Sequence, residues 1–188
     1  MKNVIIGGTV RSGKTTLACK LFNETKISLC ESDTIVNAFN EVYPQLGILH
    51  KKPKESREIF KPFLFEVLNG FVRSLKYKNI PTVFPGSQFL PEHIAQYGQL
   101  DRYVVIFLGM GHTTAQNLLE RFRKKDGIGD WTADFSNEKL IHICQQIIDE
   151  SLIIEQQCQQ YGFLYYDTFD NREETFNAIV SMIKEINK

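Results

Sequence analysis

Neither sign of charge is in excess in this sequence, since 22 basic residues balance 22 acidic ones. It also lacks a basic tract long enough to dominate association with nucleic acid or a membrane surface. No apolar run approaches the length of a membrane span. Met1 is followed at once by an apolar stretch at residues 4–6, which leaves no room for a cleavable signal. These absences argue against a nucleic acid or a membrane as the main partner, and we expect a cytoplasmic protein.

Cysteine is scarce and shows no paired spacing. Cys19, Cys30, Cys144 and Cys158 form no CxxC motif and fall within predicted helices or a strand. We therefore favour reduced thiols in the core over a metal site or a disulfide framework.

One motif does stand out, because residues 8–15 read GTVRSGKT and match the phosphate-binding pattern GxxxxGK[ST]. A β-branched apolar run at residues 4–6 precedes it, and residues 16–22 are predicted to be helical. Glycines let successive backbone N–H groups wrap a phosphate, and the helix N-terminus adds its positive dipole end. The sequence therefore predicts a nucleotide site, although a plain glycine turn before a lysine-bearing helix is the structural alternative.

Within this motif the chemistry assigns two side chains. The Lys14 ammonium can bridge the β- and γ-phosphates, and the Thr15 hydroxyl is predicted to bind Mg²⁺. The predicted nucleotide-binding residues are Gly8, Thr9, Val10, Arg11, Ser12, Gly13, Lys14, Thr15 and Thr16.

The length of 188 residues suits one α/β domain, residues 1–188, with small insertions. Strand and helix patterns alternate, which favours a parallel sheet. Strands are predicted at residues 4–6, 27–30, 81–84, 103–108 and 162–166. Helices are predicted at residues 56–76, 113–125, 136–160 and 172–187, with a shorter helix and loop at 34–50. Pro62 is expected near the first turn of its helix, where proline is tolerated.

Carboxylates follow the second predicted strand, at the edge of the sheet where ligands of open parallel sheets bind. Asp33 and Glu31 could accept a proton from a hydroxyl group, hold a substrate or contact Mg²⁺ through water. Asp33 could instead simply cap the helix that follows it.

Basic side chains end a helix at residues 121–125 and lead into a glycine-rich segment that contains Trp131. Such a segment can close as a lid, and Arg121 and Arg123 could supply charge to a migrating phosphoryl group. Favourable contact with the helix dipole is the alternative explanation for these charges. A further basic stretch at residues 50–57, which includes Arg57, could receive an anionic acceptor or remain a solvated loop.

With these motifs in place, the chain resembles the adenylate-kinase and shikimate-kinase branch of the small P-loop kinases over almost its full length. The resemblance implies a three-layer α/β/α P-loop NTPase fold with a five-stranded parallel sheet. It also implies an acceptor-binding insertion at about residues 34–75 and a small lid at about residues 121–136. The implied activity is transfer of the ATP γ-phosphoryl group, with Mg²⁺, to a nucleoside, nucleotide or other small metabolite.

The same resemblance implies roles for single residues. Those implied to be catalytic are Lys14, Asp33, Arg121 and Arg123, and those implied to bind the acceptor are Glu31, Asp33, Arg57 and Gln88. Arg57 and Arg73 are the arginines available for an acceptor phosphate, and residues 167–169 resemble the loop near adenine. Pro85 stands where the third strand of many relatives carries an acidic residue.

Two other classes of function remain open. A P-loop ATPase would release ADP without an acceptor, whereas the absence of an NKxD sequence disfavours a GTPase. A catalytically weak or inactive nucleotide-binding regulatory protein is the stronger alternative, and Pro85 motivates it.

Overall fold

The computed structural model describes residues 1–48, 53–125 and 134–188. The strands are β1 (Asn3–Gly8), β2 (Ser28–Leu29), β3 (Thr82–Pro85), β4 (Tyr103–Gly109) and β5 (Leu164–Asp167). The helices are α1 (Lys14–Thr25), α2 (Ser32–Val42), α3 (Pro53–Lys78), α4 (Pro91–Ile94), α5 (Ala115–Lys125), α6 (Asn137–Tyr161) and α7 (Arg172–Ile186). Short 3₁₀ turns occupy Pro44–Leu46 and Leu100–Arg102.

These strands form a parallel sheet in the order β2-β3-β1-β4-β5. Val4 of β1 lies opposite Val83 of β3 on one side and Val104 of β4 on the other. Every residue of β1 and β4 is buried, as expected for apolar runs covered by helices on both faces. Because all strands run in one direction, their carboxyl ends meet at a single edge of the sheet.

Alternate residues of the sheet face two separate cores. Ile5 and Phe107 pack in a cluster with residues of α3 and α6, whereas Val4 and Ile106 pack in a cluster with residues of α1 and α7. A smaller cluster joins α5 to α6. The predicted three-layer α/β/α fold with a five-stranded parallel sheet is therefore confirmed.

Several element boundaries differ from the prediction. α3 begins at Pro53 rather than at residue 56, so Pro62 lies inside the helix and not in its first turn. β2 is limited to Ser28 and Leu29, because these are the residues of the strand that pair with β3. The single turn of α4 was not predicted, since four residues carry too little periodicity to be recognised.

The cysteines are free thiols, but they are not all in the core. Cys144 and Cys158 are buried and Cys30 is half-buried, whereas Cys19 is exposed. The core prediction is wrong for Cys19, because this residue lies on the face of α1 that the buried Leu17 and Leu21 do not share.

Parts of two predicted segments lie outside the described residues: residues 50–52 of the basic stretch, and residues 126–133 of the lid, which include Trp131. Within the ranges that the structure does describe, no helix is both long and apolar enough to cross a membrane.

Candidate functional site

The phosphate-binding motif forms the turn between β1 and α1, and its backbone takes conformations that favour glycine. Gly8 has a φ of 124° and Gly13 a φ of 94°, both in the range that side chains rarely adopt. A Cβ atom on Gly8 would lie 1.9 Å from the carbonyl oxygen of Leu108 in β4. The loop can therefore make this close approach only with glycine at position 8.

Hydrogen bonds hold the loop in shape. The Thr9 amide donates to the Leu108 carbonyl over 3.2 Å, and the Ser12 hydroxyl donates to the Thr9 carbonyl over 2.8 Å. Thr9 and Ser12 are fully buried. Their side chains therefore support the loop from beneath and do not line its mouth.

Lys14 is folded back into the loop, where its Nζ donates to the Thr9 carbonyl over 2.6 Å. Burial lowers the pKa of this ammonium to about 8. The negative charges of Asp33 and Glu150 oppose that shift, and the positive charge of Arg57 adds to it. Lys14 therefore lies within electrostatic reach of groups on three other elements.

A cavity of about 420 Å³, here called the nucleotide cavity, opens at the mouth of this loop. It is lined by Val10, Arg11, Gly13, Lys14, Thr15, Thr16, Asp33, Ser87, Arg121, Phe122 and Arg172. The cationic members of this lining outnumber its single carboxylate, Asp33. The cavity is therefore suited to a polyanion such as a nucleoside triphosphate.

The arginines around this cavity are held in defined positions. The guanidinium of Arg11 lies 4.3 Å from the centre of the Phe122 ring, and that of Arg121 lies 5.1 Å from the centre of the Phe169 ring. Arg172 donates to the Arg11 carbonyl over 3.1 Å. Burial, together with the positive charge of Arg121, lowers the pKa of Arg172 to about 10.

Asp33 is part of a hydrogen-bond chain that joins the ends of β2 and β3. Gln88 Nε2 donates to Asp33 Oδ1 over 2.8 Å, and the Ser32 hydroxyl donates to Gln88 Oε1 over 2.7 Å. Ser32 is buried and also lies 3.1 Å from the Pro85 carbonyl oxygen. The exposed Asp33 carboxylate is therefore oriented by Gln88, which is itself held by the buried Ser32. Pro85 contributes its backbone carbonyl to this chain and no acidic side chain.

A second cavity of about 540 Å³, here called the acceptor cavity, adjoins the first, and Val10 and Ser87 line both. The other residues that line it are Val36, Ile48, Ser56, Arg57, Phe60, Gln88, Gln146 and Glu150. Arg57 Nη1 and Glu150 Oε1 form an ion pair at 2.8 Å across it. The two cavities provide neighbouring places for two ligands.

Some predicted site residues are not brought to either cavity. Glu31 is the exposed residue that precedes α2, and Arg73 is exposed on α3. The side chain of Arg123 donates instead to Asn137 Oδ1, over 3.0 Å, and to the Phe135 carbonyl. Arg121 and Arg123 therefore point to different surroundings, as two residues spaced by two on a helix must.

Several residues that line the cavities were not predicted, and three of them are Ser87, Arg172 and Glu150. Ser87 lies one position before the predicted Gln88, and Arg172 begins α7 directly after the loop that follows β5. Glu150 lies in the middle of α6, next to the buried Ser151. The sequence offered only a weak signal for Glu150, an acidic residue next to a serine within a predicted helix.

The residues after β5 contact the phosphate-binding loop. The buried Thr168 hydroxyl donates to the Ser12 carbonyl over 2.8 Å, and Asp167 Oδ2 accepts the amides of Gly111 and His112. These contacts join the ends of β4 and β5 to the nucleotide cavity. Whether residues 167–169 contact adenine stays a prediction.

Oxygen ligands for a metal are available in the nucleotide cavity, and the Thr15 hydroxyl and the Asp33 carboxylate are among them. Across the described residues, no group of three or more His, Cys, Asp or Glu side chains could hold a metal ion. The donor set fits Mg²⁺, which commonly takes one or two protein ligands and completes its shell with phosphates and water.

Together, the fold and the loop define a class: the chain has the fold of the P-loop small-molecule kinases. Solved structures with this fold include a shikimate kinase from Bacteroides thetaiotaomicron, which is 16% identical with a TM-score of 0.58 over 98% of this chain and 97% of that one. A gluconokinase from Sinorhizobium meliloti 1021 is 14% identical with a TM-score of 0.59, and the match covers 99% of this chain and 93% of that one.

A dephospho-CoA kinase from Campylobacter jejuni is 15% identical with a TM-score of 0.54, covering 100% of this chain and 98% of that one. No protein-family model matches the chain, and no curated protein matches it. At these identities the likeness establishes the fold, and the chemistry has to be inferred from the site.

Proposed function

We propose that this protein is an ATP-dependent kinase that transfers the γ-phosphoryl group to a small acceptor. The observation that carries the proposal is the pair of adjoining cavities, with Val10 and Ser87 common to both and the phosphate-binding loop in one of them. Two neighbouring sites are what a two-substrate transfer needs, whereas a hydrolase needs only the first.

In this proposal the loop amides and Lys14 neutralise the β- and γ-phosphates. Arg121 lines the same cavity and would screen the charge that develops on the transferred group. Arg172 holds the loop through the Arg11 carbonyl. We assign no catalytic role to Arg123, because its side chain is engaged with Asn137.

Asp33 is the residue we propose to receive the proton of the acceptor hydroxyl. It lines the nucleotide cavity and is oriented by Gln88, which also lines the acceptor cavity. A positioned carboxylate of this kind typically contributes about 10²-fold to 10⁴-fold to a rate.

Bound Mg²⁺ would supply charge neutralisation between the β- and γ-phosphates, with Thr15 as its protein ligand. Asp33 is the carboxylate of the nucleotide cavity that could contact the metal through water, because Pro85 has no acidic side chain. The Asp33 carboxylate would then face both the metal and the acceptor. Of the residues in the proposed site, it should therefore be the most sensitive to substitution.

The volume of the acceptor cavity, about 540 Å³, supports a small acceptor. The neighbours in fold are named for shikimate, gluconate and dephospho-CoA. These names define the first compounds to test, and the acceptor of this protein is open among small hydroxyl compounds, including nucleosides and nucleotides.

A second candidate function is a nucleotide-binding regulatory protein with little or no turnover. Pro85 favours it, because this residue ends β3 without the acidic side chain that many relatives carry. Binding of ATP without ADP release would be the outcome that favours this candidate.

The experiment that tests the proposal is ADP release from Mg-ATP in the presence of pooled nucleosides, nucleoside monophosphates, sugars and hydroxy acids. We expect release that needs one pool and that disappears in Lys14→Ala. Release without any acceptor would indicate an ATPase, and binding without release in every pool would favour the regulatory protein.

A further inference from the structure

The acceptor cavity contains an arginine whose charge is already neutralised. Arg57 on α3 and Glu150 on α6 meet at 2.8 Å, and their side chains are only 16% and 34% exposed. Partial burial strengthens such a pair, because fewer water molecules compete with it. Arg57 is therefore not presented to the cavity as a free cation.

The remaining described lining of this cavity has no further basic side chain. Val36, Ile48 and Phe60 are apolar, and Ser56, Ser87, Gln88 and Gln146 offer neutral hydrogen-bonding groups. Asp33 adds a second carboxylate nearby through its hydrogen bond with Gln88. Arg57 and Glu150 are the charged residues among those that line the acceptor cavity, and their charges cancel, so the described lining offers an anion no net positive charge.

An anionic acceptor would meet this cavity at a disadvantage. To bind Arg57 it would either displace Glu150 or share the guanidinium with it, and in both cases the Glu150 carboxylate would lie beside the anion. Two like charges a few ångströms apart in a partly buried site repel each other strongly. A neutral acceptor needs no such displacement, because serine and glutamine side chains can pair with its hydroxyl groups.

The influence of this ion pair extends to the phosphate-binding loop. The pKa of Lys14 is raised by the charge of Glu150 and lowered by that of Arg57. Glu150 and Arg57 are therefore close enough to Lys14 to affect its charge, and Lys14 is the residue that we propose to contact the transferred phosphoryl group.

We propose, resting on the kinase function above, that the acceptor is a neutral polyhydroxy compound and that Glu150 is the residue that excludes anionic acceptors. Nucleosides and uncharged sugars share this chemistry. A cavity of about 540 Å³ is in the size range that holds ligands of this kind. Phosphorylated and carboxylated relatives of the same compounds are disfavoured.

The first arm of the test compares a neutral compound with a related anion in each of two pairs. Adenosine is compared with AMP, and glucose with gluconate, as acceptors for ADP release from Mg-ATP. We expect the neutral member of at least one pair to be preferred by tenfold or more in kcat/KM. The pair that responds separates a nucleoside from a sugar, and a preference for AMP or gluconate overturns the proposal.

The second arm changes the charge of the cavity with Glu150→Gln, which frees Arg57. We expect kcat/KM for the anionic member of the responding pair to rise at least tenfold relative to the neutral member. Asp149→Asn is the matched control, because it removes the same charge from the adjacent position of α6. Asp149 is exposed, accepts a hydrogen bond from Gln145 and does not line the cavity.

The third arm needs no turnover and separates failure of this inference from failure of the kinase function. Inorganic phosphate is titrated by calorimetry into proteins that all carry Lys14→Ala, which weakens the loop as a competing site. We expect Lys14→Ala/Glu150→Gln to bind phosphate at least tenfold more tightly than Lys14→Ala alone or with Asp149→Asn. Equal affinities would overturn the role of Glu150, even if no acceptor in the panel is turned over.

Discussion

At the scale of single residues, the ammonium of Lys14 carries a cost of burial that a bound phosphate would relieve. Its pKa of about 8 lies below the usual 10.5, because burial disfavours the charged form. A phosphate favours that charged form and would raise the pKa again. Binding of nucleotide and protonation of Lys14 should therefore be linked.

This linkage predicts how nucleotide affinity depends on pH. Below pH 8 Lys14 is already protonated, so its contribution to affinity is constant. Above pH 8 Lys14 loses its proton before nucleotide binds, and affinity for Mg-ATP should fall by about tenfold per pH unit until the pKa of Lys14 in the complex is reached. Calorimetric titration between pH 7 and pH 10 measures this slope.

Lys14→Met provides the control, since it removes the titrating group. The variant should bind Mg-ATP more weakly and lose the slope above pH 8, because nucleotide phosphates are already ionised there. An unchanged slope in Lys14→Met would assign the pH dependence to another group.

At the scale of elements, Ser151 connects α6 to both β4 and the phosphate-binding loop. Its buried hydroxyl donates to the Ile147 carbonyl over 2.7 Å and accepts the Met110 amide over 2.9 Å. It also lies 3.2 Å from the hydroxyl of the buried Thr9. One small side chain in a helix thus supports the loop and the end of the neighbouring strand.

Ser151→Ala should therefore lower the free energy of unfolding by more than is usual for the loss of one hydroxyl group. Loss of the acceptor for the Met110 amide is expected to cost about 2 kcal/mol in the free energy of unfolding. For a chain of this length, that corresponds to a fall in Tm of roughly 4–8 °C. Thermal unfolding followed by circular dichroism measures it.

The matched control is Ser181→Ala on α7, where the serine is exposed. This change should stay within about 0.5 kcal/mol of the original protein. Equal effects at the two positions would show that Ser151 has no special role in holding the loop.

Elements with strong local patterns could be predicted from the sequence, and the rest could not. β1 and β4 are continuous apolar runs, and α3 repeats its apolar residues at helical spacing, so their existence follows from local sequence. β2 is short because pairing with β3 limits it, and such pairing leaves no local signal.

The same distinction holds within the candidate site. The phosphate-binding loop is a contiguous motif, so all its residues could be named in advance. Glu150 and Arg172 reach the cavities from α6 and α7, far along the chain from that loop. A single charged residue on an amphipathic helix looks like any solvated position until the fold places it.

At the scale of the whole molecule, the site is assembled from the carboxyl ends of several parallel strands. From β1 the chain crosses to β2 on one side of the sheet, and from β3, which lies beside β1, it crosses back to β4 on the other side. The loop after β1 therefore lies where the strand order reverses. Crevices at such points are the usual ligand sites of open α/β sheets. Asp33 follows β2, Ser87 follows β3 and Arg172 follows β5.

Because these strand ends belong to different parts of the chain, a ligand that contacts all of them should stabilise the whole fold. The nucleotide cavity includes residues of α1, α2, α5 and α7. Unfolding would separate them and release the ligand, so binding shifts the unfolding equilibrium by mass action.

Mg-ADP should accordingly raise Tm. At a concentration of about 100 times Kd, the expected stabilisation is about 2.7 kcal/mol, which corresponds to roughly 5–11 °C for a chain of this size. Lys14→Ala should lose most of this shift, and a chelator of Mg²⁺ should reduce it in the original protein. This result is expected both for a kinase and for a silent nucleotide-binding protein, because it depends on the cavity and not on turnover. A shift of the same size in Lys14→Ala would place the nucleotide elsewhere and remove the basis for either function.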